Sequence, residues 1–382
     1  MGQTLSEPVT AKETTCCCDE QLYVGASCMQ GWRINMEDSH THILSLTPED
    51  PTASFFAVYD GHGGDKVAHY AGNHLHKKIV TQQSYAEGNI EEAIRCGFLQ
   101  LDADMLSDPE MRDELAGTTA VCMLIKNGKL FVGNVGDSRA VACWNGRVDP
   151  LSQDHKPSNE LEAKRIVAAG GWVDFNRVNG NLALSRALGD FVFKRNEKKS
   201  SIEQIVTAFP DVEVRTITEE LEFVVLACDG IWDVMTNEEV IEFIRCRIAE
   251  KMDPPTICEQ LMTRCLAPDC QMGGLGCDNM TVILVCFLHG KSYEDLSLRC
   301  SLSHANRNRL HSTGSSDSSL PSTSCSFSTP ETPDEELMKT QEDEESAVVK
   351  VNNSESDENN SLNSSENEAH SSRFADNGVA VA

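Results

Sequence analysis

Six short runs of β-branched, aromatic and aliphatic residues, each bounded by turn-forming residues, constrain the fold of this 382-residue chain most strongly. Such runs are typical of buried β-strands. They read SFFAVYD, TTAVCMLIK, KLFVGNV, SRAVACW, EFVVLAC and MTVILVCFL. Asn127-Gly128 and Asn145-Gly146 interrupt or end such runs, and Asn-Gly favours a two-residue hairpin turn because both residues tolerate positive φ. The sequence therefore predicts antiparallel strand pairing, at least at these two places.

Helical periodicity separates or follows these runs. It covers residues 65–80, 89–106, 158–169, 236–250 and 254–266. Ser158 and Thr236 are the candidate N-caps of two of these helices. Hairpins combined with separate helices predict an α+β fold, in which helices pack on antiparallel sheets, rather than a doubly wound parallel sheet.

Composition divides the chain into three parts. Residues 1–21 are polar and lack periodicity, residues 22–290 alternate strand and helix patterns, and residues 291–382 are rich in Ser, Asn and Glu. A segment with few apolar residues buries too little surface to offset the entropy lost on ordering. We therefore expect a flexible N-terminal segment, a globular domain over 22–290 and a disordered acidic tail over 291–382.

Charge and cysteine content limit the partners and the compartment. The 60 acidic and 32 basic residues give a net charge of −28, which would repel phosphodiester backbones, so no nucleic-acid partner is expected. The 16 cysteines occur in a large chain without an apolar signal segment at its start, so we expect reduced thiols and a cytoplasmic protein. The nucleus is left open as a second location.

Carboxylates stand at the ends of several predicted strands. Asp60 follows SFFAVY, Asp229 follows EFVVLAC, Asp278 lies just before MTVILVCF, and Asp137 lies in the VGDSR link between two strands. If these ends share one rim, the carboxylates converge, and their mutual repulsion favours a hard divalent cation such as Mg²⁺ or Mn²⁺. The alternative is that each Asp-Gly pair is only a turn.

Neighbouring residues make the metal interpretation stronger. In WRINMEDSH, Arg33 is suited to bind a phosphate with two parallel hydrogen bonds, and Glu37 and Asp38 add two acids. Gly61 and His62 follow Asp60 directly, and a missing Cβ lets backbone carbonyls and substrate approach closely.

Eight motifs, in this order, resemble those of the metal-dependent serine/threonine protein phosphatases, the PPM or type 2C family. They are MQGWRINMEDSH, FFAVYDGHGG, GTTAV, VGNVGDSRAV, DHKPS, RVNGNLALSRALGD, VLACDGIWDVM and CDNMTVILV. The resemblance covers about residues 22–290. It implies two stacked antiparallel β-sheets flanked by helices on both sides, a four-layer αββα sandwich. It also implies phosphoprotein substrates, hydrolysis of phosphoserine and phosphothreonine, and a monomer.

The resemblance also implies roles for the strand-end carboxylates. Asp60 would bridge two Mg²⁺ or Mn²⁺ ions, Asp229 and Asp278 would complete one site, and the Gly61 carbonyl would serve the other. Two metals sharing a carboxylate activate a water molecule that attacks phosphorus without a covalent intermediate.

Further roles are carried over from the same motifs. Glu37 and Asp38 would act around the metals, largely through waters, while Asp137 and Asp233 match positions associated with a third, weaker metal. Arg33 would hold the phosphate oxygens. His62 would protonate the leaving seryl or threonyl oxygen.

Two features of the motifs leave alternatives open. Cys277 precedes Asp278 where many family members have arginine, which puts loop contacts there in doubt. Arg177 and Arg186 lie in a segment that the family places as a flap beside the active site. They could contact substrate or form salt bridges that hold the flap.

Two rival functions can be weighed. A cysteine phosphatase would use the Cys-x5-Arg spacing of Cys258 and Arg264, but the intervening EQLMT has no glycine for a phosphate cradle and continues a helical pattern. An inactive phosphatase-fold scaffold that binds partner proteins is the alternative from a different class.

The ends of the chain carry modification motifs. MGQTLS matches the N-myristoylation pattern with Gly2 as acceptor, and Cys16, Cys17 and Cys18 are candidates for a second acyl anchor. We therefore expect reversible membrane association. Thr329 and Thr332 precede prolines and are candidate phosphorylation sites, or part of an acidic spacer without a regulatory role.

Overall fold

A computed structural model describes residues 4–48, 50–270 and 274–312 of the protein. It contains two main β-sheets. The first has six strands in the order β1 (Thr4–Cys18), β2 (Leu22–Arg33), β16 (Met280–Phe287), β15 (Leu221–Ala227), β9 (Arg139–Trp144) and β10 (Arg147–Pro150). The second has five, in the order β14 (Asp211–Thr216), β8 (Lys129–Val135), β7 (Ala120–Lys126), β4 (Ser54–Tyr59) and β3 (Ser39–Ile43). All neighbouring strands in both sheets are antiparallel.

Shorter strands and the helices complete the described fold. The short strands are β5 (Gly61–His62), β6 (Gly117–Thr118), β11 (Val173–Asp174), β12 (Arg177–Val178) and β13 (Leu188–Gly189). The helices are α1 (Lys66–Val80), α2 (Gln83–Ala86), α3 (Ile90–Ser107), α4 (Glu160–Ala168), α5 (Asp229–Trp232), α6 (Asn237–Ala249), α7 (Pro254–Cys265) and α8 (Tyr293–Ser312). Two 3₁₀ turns cover Phe191–Phe193 and Ser201–Glu203.

The apolar core has three layers of contacts. Phe56 of β4 and Ile283 of β16 belong to the central cluster between the sheets. Phe55, which points to the other face of β4, packs with Phe98 of α3. On the far side, Leu261 of α7 packs against the first sheet. Strands buried on both faces explain the continuous apolar runs, and the predicted α+β sandwich of four αββα layers is confirmed.

Local predictions are mostly confirmed. The two Asn-Gly pairs form the turns of the β7–β8 and β9–β10 hairpins, with φ of 51° at Asn127 and 49° at Asn145. All five predicted helices are present within two residues of their predicted bounds. Thr236 caps α6 and accepts a hydrogen bond from the backbone N–H of Glu239. The prediction for Ser158 is wrong, because the N-cap of α4 is Asn159.

The N-terminal segment differs from the prediction. Residues Thr4–Cys18 form a long edge strand, β1, paired with β2. Backbone hydrogen bonds supply this pairing, and Thr14 adds side-chain contacts to Ser27 (2.8 Å) and to Glu259 of α7 (2.7 Å). An edge strand with mostly exposed side chains shows no hydrophobic pattern, so residue composition alone suggested flexibility.

The predicted start of the tail at residue 291 is also wrong. Helix α8 covers Tyr293–Ser312, and its residues Leu296 and Cys300 are buried against the first sheet's outer cluster. The Tyr293 hydroxyl donates to the Met252 carbonyl at 2.5 Å. These three residues are spaced along one helix face, which a composition count does not detect. The tail residues 313–382, including Thr329 and Thr332, lie outside the described residues, as does Gly2.

One disulfide contradicts the expectation of reduced thiols throughout. Cys270 and Cys277 are bonded, while the other cysteines in the described ranges are free. The Ala267 N–H donates to the Gly276 carbonyl at 2.9 Å, which brings the segments that carry the two cysteines together. None of the described helices combines the length and apolar character that a bilayer span requires.

Candidate active site

One rim of the two sheets gathers the strand-end carboxylates. In the antiparallel first sheet, the end of β2, the start of β16, the end of β15 and the start of β9 share an edge. Carboxylate oxygens of Asp60, Asp137 and Asp229 lie within 4.8 Å of one another. Asp38, Asp60 and the Cys228 thiol form a second group at the same spacing. Asp60 belongs to both groups and is therefore the centre of the site.

These acids repel one another in a buried place. Burial raises the pKa of Asp60 well above its ordinary value, and the charges of Asp229 and Asp38 raise it further. Burial, together with the charges of Asp137 and Asp278, likewise raises the pKa of Asp229. Without a compensating positive charge, the rim cannot hold all of its carboxylates ionised near neutral pH.

The surroundings of Asp38 show whether the residues at this rim fit a hard cation. Burial raises the pKa of Asp38 to about 7, although the Thr281 hydroxyl donates to its Oδ2 at 2.7 Å. The other carboxylate oxygen, Oδ1, is buried and has no hydrogen-bond partner among the described residues. A buried oxygen acceptor without a donor, beside a second acid, matches the ligand preference of Mg²⁺ and Mn²⁺.

The backbone around Gly61 is too crowded for any side chain. A Cβ at Gly61 would lie 2.2 Å from the Glu37 carbonyl oxygen, so only glycine fits. The Glu37 N–H donates to Asn279 Oδ1 at 3.0 Å, and the Asn279 side-chain amide donates to the carbonyls of Gln30 and Asn35. Asn279 thereby fixes the segment that carries Glu37 and Asp38, a role that sequence reasoning missed although DNM is part of a motif.

Arg33 stands at the end of β2 beside the acids. Its Nη2 donates to Asp278 Oδ2 at 2.5 Å, and its side chain remains 40% exposed. Both residues line a cavity of about 160 Å³, together with Asp229 and Asp233. The positively charged Arg33 guanidinium thus lies among three acids in the lining of this cavity.

His62 lies beside a partner that sequence reasoning also missed. Its Nε2 is 2.7 Å from Oδ2 of the buried Asp190, the last residue of the RALGD sequence. Burial lowers the pKa of His62, but the charge and hydrogen bond of Asp190 outweigh it and the pKa is raised. A Cβ at Gly117 would lie 2.2 Å from the Asp190 oxygen, so a glycine makes room for this pair.

Comparison with known proteins identifies the family. The family described as "Protein phosphatase 2C" matches residues 22–272. A probable protein phosphatase 2C of Caenorhabditis elegans is 65% identical over 300 residues, which cover 78% of this chain and 84% of the relative. The chain belongs to the protein phosphatase 2C family. The resemblance stated from the motifs is therefore confirmed.

Other relatives of this 2C phosphatase agree. Protein phosphatase 2C homolog 2 of Hypocrea jecorina is 53% identical, over 77% of this chain and 69% of its own length. Among solved structures, a phosphatase from a pathogenic strain of Toxoplasma gondii has a TM-score of 0.61 at 27% identity, covering 72% of this chain and 96% of its own. A Caenorhabditis elegans sex determining protein also has a TM-score of 0.61, at 26% identity, with 73% and 67% covered.

Asp137 and Asp233 of the 2C phosphatase occupy different positions in the site. Asp137 is buried in the Asp60 group and pairs with Lys156, which sequence reasoning missed. Burial raises the pKa of Asp137, and the positive charge of Lys156 offsets part of this effect. Asp233, at the end of α5, lines the cavity but belongs to neither carboxylate group. Glu37 also stands outside both groups.

The flap arginines form contacts within the flap region. Arg186 is paired with Glu162 (2.7 Å) and Asp211 (2.8 Å). Arg177 donates to the Asn181 carbonyl at 2.6 Å. For Arg186 the structure supports the salt-bridge interpretation over substrate contact.

The Cys-x5-Arg spacing in the 2C phosphatase carries no cysteine chemistry. Cys258 is buried in α7, and burial raises the pKa of its thiol to about 12, so the thiolate nucleophile is absent at neutral pH. Arg264 lies 6.0 Å from the centre of the Phe243 ring rather than at a phosphate cradle.

Proposed function

We propose that this protein hydrolyses phosphoserine and phosphothreonine in proteins, using two Mg²⁺ or Mn²⁺ ions per chain and a third that binds more weakly. The observation that carries the proposal is the group of Asp60, Asp137 and Asp229, whose oxygens lie within 4.8 Å of one another; Asp137 is buried and the other two are half-buried. Such a group is costly unless a divalent cation offsets the charge. Membership of the protein phosphatase 2C family supports the choice of substrate.

The proposed metal ligands are the acids and the one backbone carbonyl named from the sequence. They are Glu37, Asp38, Asp60, Gly61, Asp229 and Asp278, with Asp137 and Asp233 for the third ion. When bound, the ions would supply Lewis acidity and lower the pKa of a water molecule that attacks phosphorus.

Arg33 would bind the phosphate group of the substrate. Among the described residues it has a single ion pair, to Asp278 at 2.5 Å, so further guanidinium N–H groups remain for phosphate oxygens. The pair also fixes the orientation of the guanidinium at the cavity. Negative charge that grows on the phosphoryl oxygens in the transition state would be stabilised there.

His62 would deliver a proton to the leaving oxygen of serine or threonine. Asp190 holds Nε2 of the ring at 2.7 Å, so Nδ1 would be the nitrogen that donates the proton to the substrate. A serine or threonine alkoxide is a poor leaving group, so protonation as the P–O bond breaks is needed for a fast reaction.

The test is hydrolysis of a phosphothreonine peptide with Mg²⁺, with Mn²⁺ and with a chelator. We expect metal-dependent phosphate release that is lost in Asp60→Asn. The matched control is Asp104→Asn. Asp104 of α3 forms an ion pair with Lys78 of α1, away from the rim. Folded wild-type protein that is inert on several phosphopeptides with metal present would favour the scaffold function instead.

We also propose reversible association with the cytoplasmic face of a membrane, through acylation of Gly2 and of cysteines in β1. Thr4 pairs with Arg33 at the active-site end of β1, whereas Cys16–Cys18 pair with β2 at the other end. The partners of Thr4 and Cys18 in β2 are Arg33 and Tyr23, so strand geometry separates these ends by about 33 Å. Two acyl chains in one bilayer therefore require β1 to lie along the membrane surface.

Exposure distinguishes among the three cysteines. Cys16 and Cys18 are exposed, whereas Cys17 packs against the core between the sheets, and burial raises the pKa of its thiol to about 11. We therefore assign the second anchor to Cys16 and Cys18. Flotation of Gly2→Ala, Cys16→Ser/Cys18→Ser and Cys17→Ser proteins with vesicles after expression in cells tests this, and only the first two changes should reduce membrane binding.

A further inference from the structure

The Cys270–Cys277 disulfide lies beside the cavity that Arg33 and Asp278 line. Both cysteines are buried and pack with Trp32, Leu266 and Ala267, and we call these five residues the disulfide cluster. Trp32 immediately precedes Arg33, and Cys277 immediately precedes Asp278. The cluster is therefore attached through one peptide bond to each partner of the Arg33–Asp278 ion pair.

Hydrogen bonds connect the two sides of the cluster. The Trp32 indole N–H donates to the Ala267 carbonyl at 3.0 Å, and the Ala267 N–H donates to the Gly276 carbonyl at 2.9 Å. Gly276 has a φ of +81°, which a glycine adopts readily, and a Cβ there would lie 2.3 Å from the Cys265 carbonyl oxygen. Two contacts thus hold the backbone just before Asp278: the hydrogen bond between Ala267 and Gly276, and the disulfide of Cys277.

The cluster faces the same cavity as the ion pair. Arg33, Gly276, Cys277 and Asp278 all line it. Cys277 is the member of the disulfide cluster that lines the cavity. The other described cysteines are free and none forms a disulfide, so this pair is the redox-active candidate within the described ranges.

We propose that Cys270 and Cys277 are positioning residues for Arg33 and Asp278, and that the oxidation state of this pair sets the affinity of the site for phosphate. The inference rests on the proposed function for its biological meaning, but phosphate binding can be measured without catalysis. The disulfide fixes Cys277 against Trp32, which fixes the spacing of the guanidinium and the carboxylate. Cleavage of the bond frees the backbone on the Asp278 side.

The redox step is a thiol–disulfide exchange. A dithiol reductant transfers two electrons and two protons to the Cys270–Cys277 bond, which becomes two thiols while the reductant closes to a cyclic disulfide. A low-molecular-weight disulfide such as oxidised glutathione reverses the step, with the two thiol protons and two electrons passing to two glutathione molecules.

The experiment compares four full-length samples after removal of the redox reagent. They are wild type treated with oxidised glutathione, wild type treated with dithiothreitol, Cys270→Ser/Cys277→Ser and Cys96→Ser. Cys96 is a half-buried cysteine of α3 and serves as the matched control. Binding of inorganic phosphate in the presence of Mn²⁺, kcat/KM for a phosphothreonine peptide and the unfolding temperature are measured.

We expect oxidised wild type to bind phosphate about tenfold more tightly than reduced wild type, because a displacement of about 1 Å in a positioning group costs up to about 100-fold and a smaller displacement costs less. The double serine variant should match the reduced protein under both treatments, and Cys96→Ser should follow wild type. Equal phosphate affinity in both states, with the linked and unlinked peptides identified by mass spectrometry, would overturn the proposal. So would failure of Cys270 and Cys277 to link under oxidant.

The readouts separate this inference from the proposed function. If no phosphopeptide is hydrolysed in either state but phosphate affinity still follows the oxidation state, the proposed function is wrong and the inference holds. If hydrolysis is metal-dependent and phosphate affinity does not change with the oxidation state, the proposed function holds and the inference is wrong. A change in unfolding temperature without a change in phosphate affinity would show that the disulfide serves only stability.

Discussion

His62 Nε2 lies 2.7 Å from Oδ2 of Asp190, although the two residues are 128 positions apart in the chain. Asp190 adopts a left-handed backbone conformation with φ of 51°, and its carboxylate fits only because residue 117 is glycine. Asparagine tolerates this backbone conformation as well as aspartate does. The charge of the pair can therefore be removed without changing its shape.

Asp190→Asn should reduce the hydrolysis of phosphothreonine peptides about 100-fold, while hydrolysis of p-nitrophenyl phosphate falls much less, because p-nitrophenolate leaves without protonation. The raised pKa of His62 keeps the ring protonated to higher pH. Loss of the carboxylate should therefore move the alkaline limb of the pH–rate profile to lower pH. Steady-state rates on both substrates from pH 5 to 9 test this, and an equal loss on both would assign Asp190 a structural role only.

The metal-free protein should lose stability as pH rises. An acid whose pKa is raised on folding stabilises the protein below its unfolded pKa, and that contribution is lost as pH rises through the folded value. For Asp38 that window runs from its ordinary value, 3.8, to about 7. In chelator, Asp38→Asn should therefore be more stable than wild type at pH 8, by on the order of 2 kcal/mol.

Thermal unfolding of both proteins at pH 5.5 and pH 8, with chelator and with Mn²⁺, checks this. The difference in stability between Asp38→Asn and wild type should be smaller at pH 5.5 than at pH 8 in chelator. With Mn²⁺ it should reverse at pH 8, because the wild-type carboxylate then contributes to metal binding. A variant less stable than wild type in chelator at pH 8 would contradict the electrostatic argument.

Glu162→Gln should destabilise the flap strongly. Glu162 is buried between Arg165 and Arg186 and also accepts from the Ser185 hydroxyl. These partners hold the pKa of Glu162 down at about 2 despite its burial. Its contribution is present above the unfolded pKa and is lost only as pH falls towards 2. Removing the charge leaves the mostly buried Arg165 without its ion pair and Arg186 with Asp211 alone, at a cost of about 3 kcal/mol.

Glu160→Gln is the matched control, since Glu160 lies on the same helix with a side chain 80% exposed and pairs with Lys164. This substitution should change the free energy of unfolding by less than about 0.5 kcal/mol. Urea unfolding at pH 7 measures both variants. Similar free energies of unfolding for the two variants would show that this network does not hold the flap.

Asn279→Ala should weaken metal binding without removing a ligand. The side chain holds the Glu37 N–H and the carbonyls of Gln30 and Asn35. Loss of such orienting contacts typically costs between about 10-fold and 100-fold in metal affinity. Calorimetric titration with Mn²⁺ measures this, with Asn73→Ala, an exposed amide bonded to the His69 carbonyl, as control. Unchanged Mn²⁺ affinity would contradict the role given to Asn279.

The sequence predicted those parts of the fold and site that depend on local signals. The Asn127-Gly128 turn, the Thr236 cap and the apolar strand runs each carry their own structural preference within a few residues. Strand-end carboxylates could be placed together because strand direction determines which ends share a rim. The convergence of Asp60, Asp137 and Asp229 follows from this argument, whereas the bridging role of Asp60 is implied only by the family resemblance.

Contacts between distant segments were not predictable in this way. Asp190 and Asn279 act on residues more than a hundred positions away, and nothing in their immediate sequence specifies the partner. The pairing of β1 depends on backbone hydrogen bonds, which every residue type except proline offers. The Cys270–Cys277 bond is accompanied by the backbone hydrogen bond between Ala267 and Gly276, which no spacing pattern specifies.

The pairing of Thr4 with Arg33 has a practical consequence for handling the protein. An affinity tag or fluorescent protein fused ahead of residue 4 would begin at the cavity mouth, since Thr4 itself lines that cavity. Such a fusion would obstruct large phosphoproteins more than short peptides. The resulting difference in hydrolysis rates would then be mistaken for substrate selectivity. Preparations for comparing substrates should carry their tags at the opposite terminus, or have the N-terminal tag cleaved off before assay.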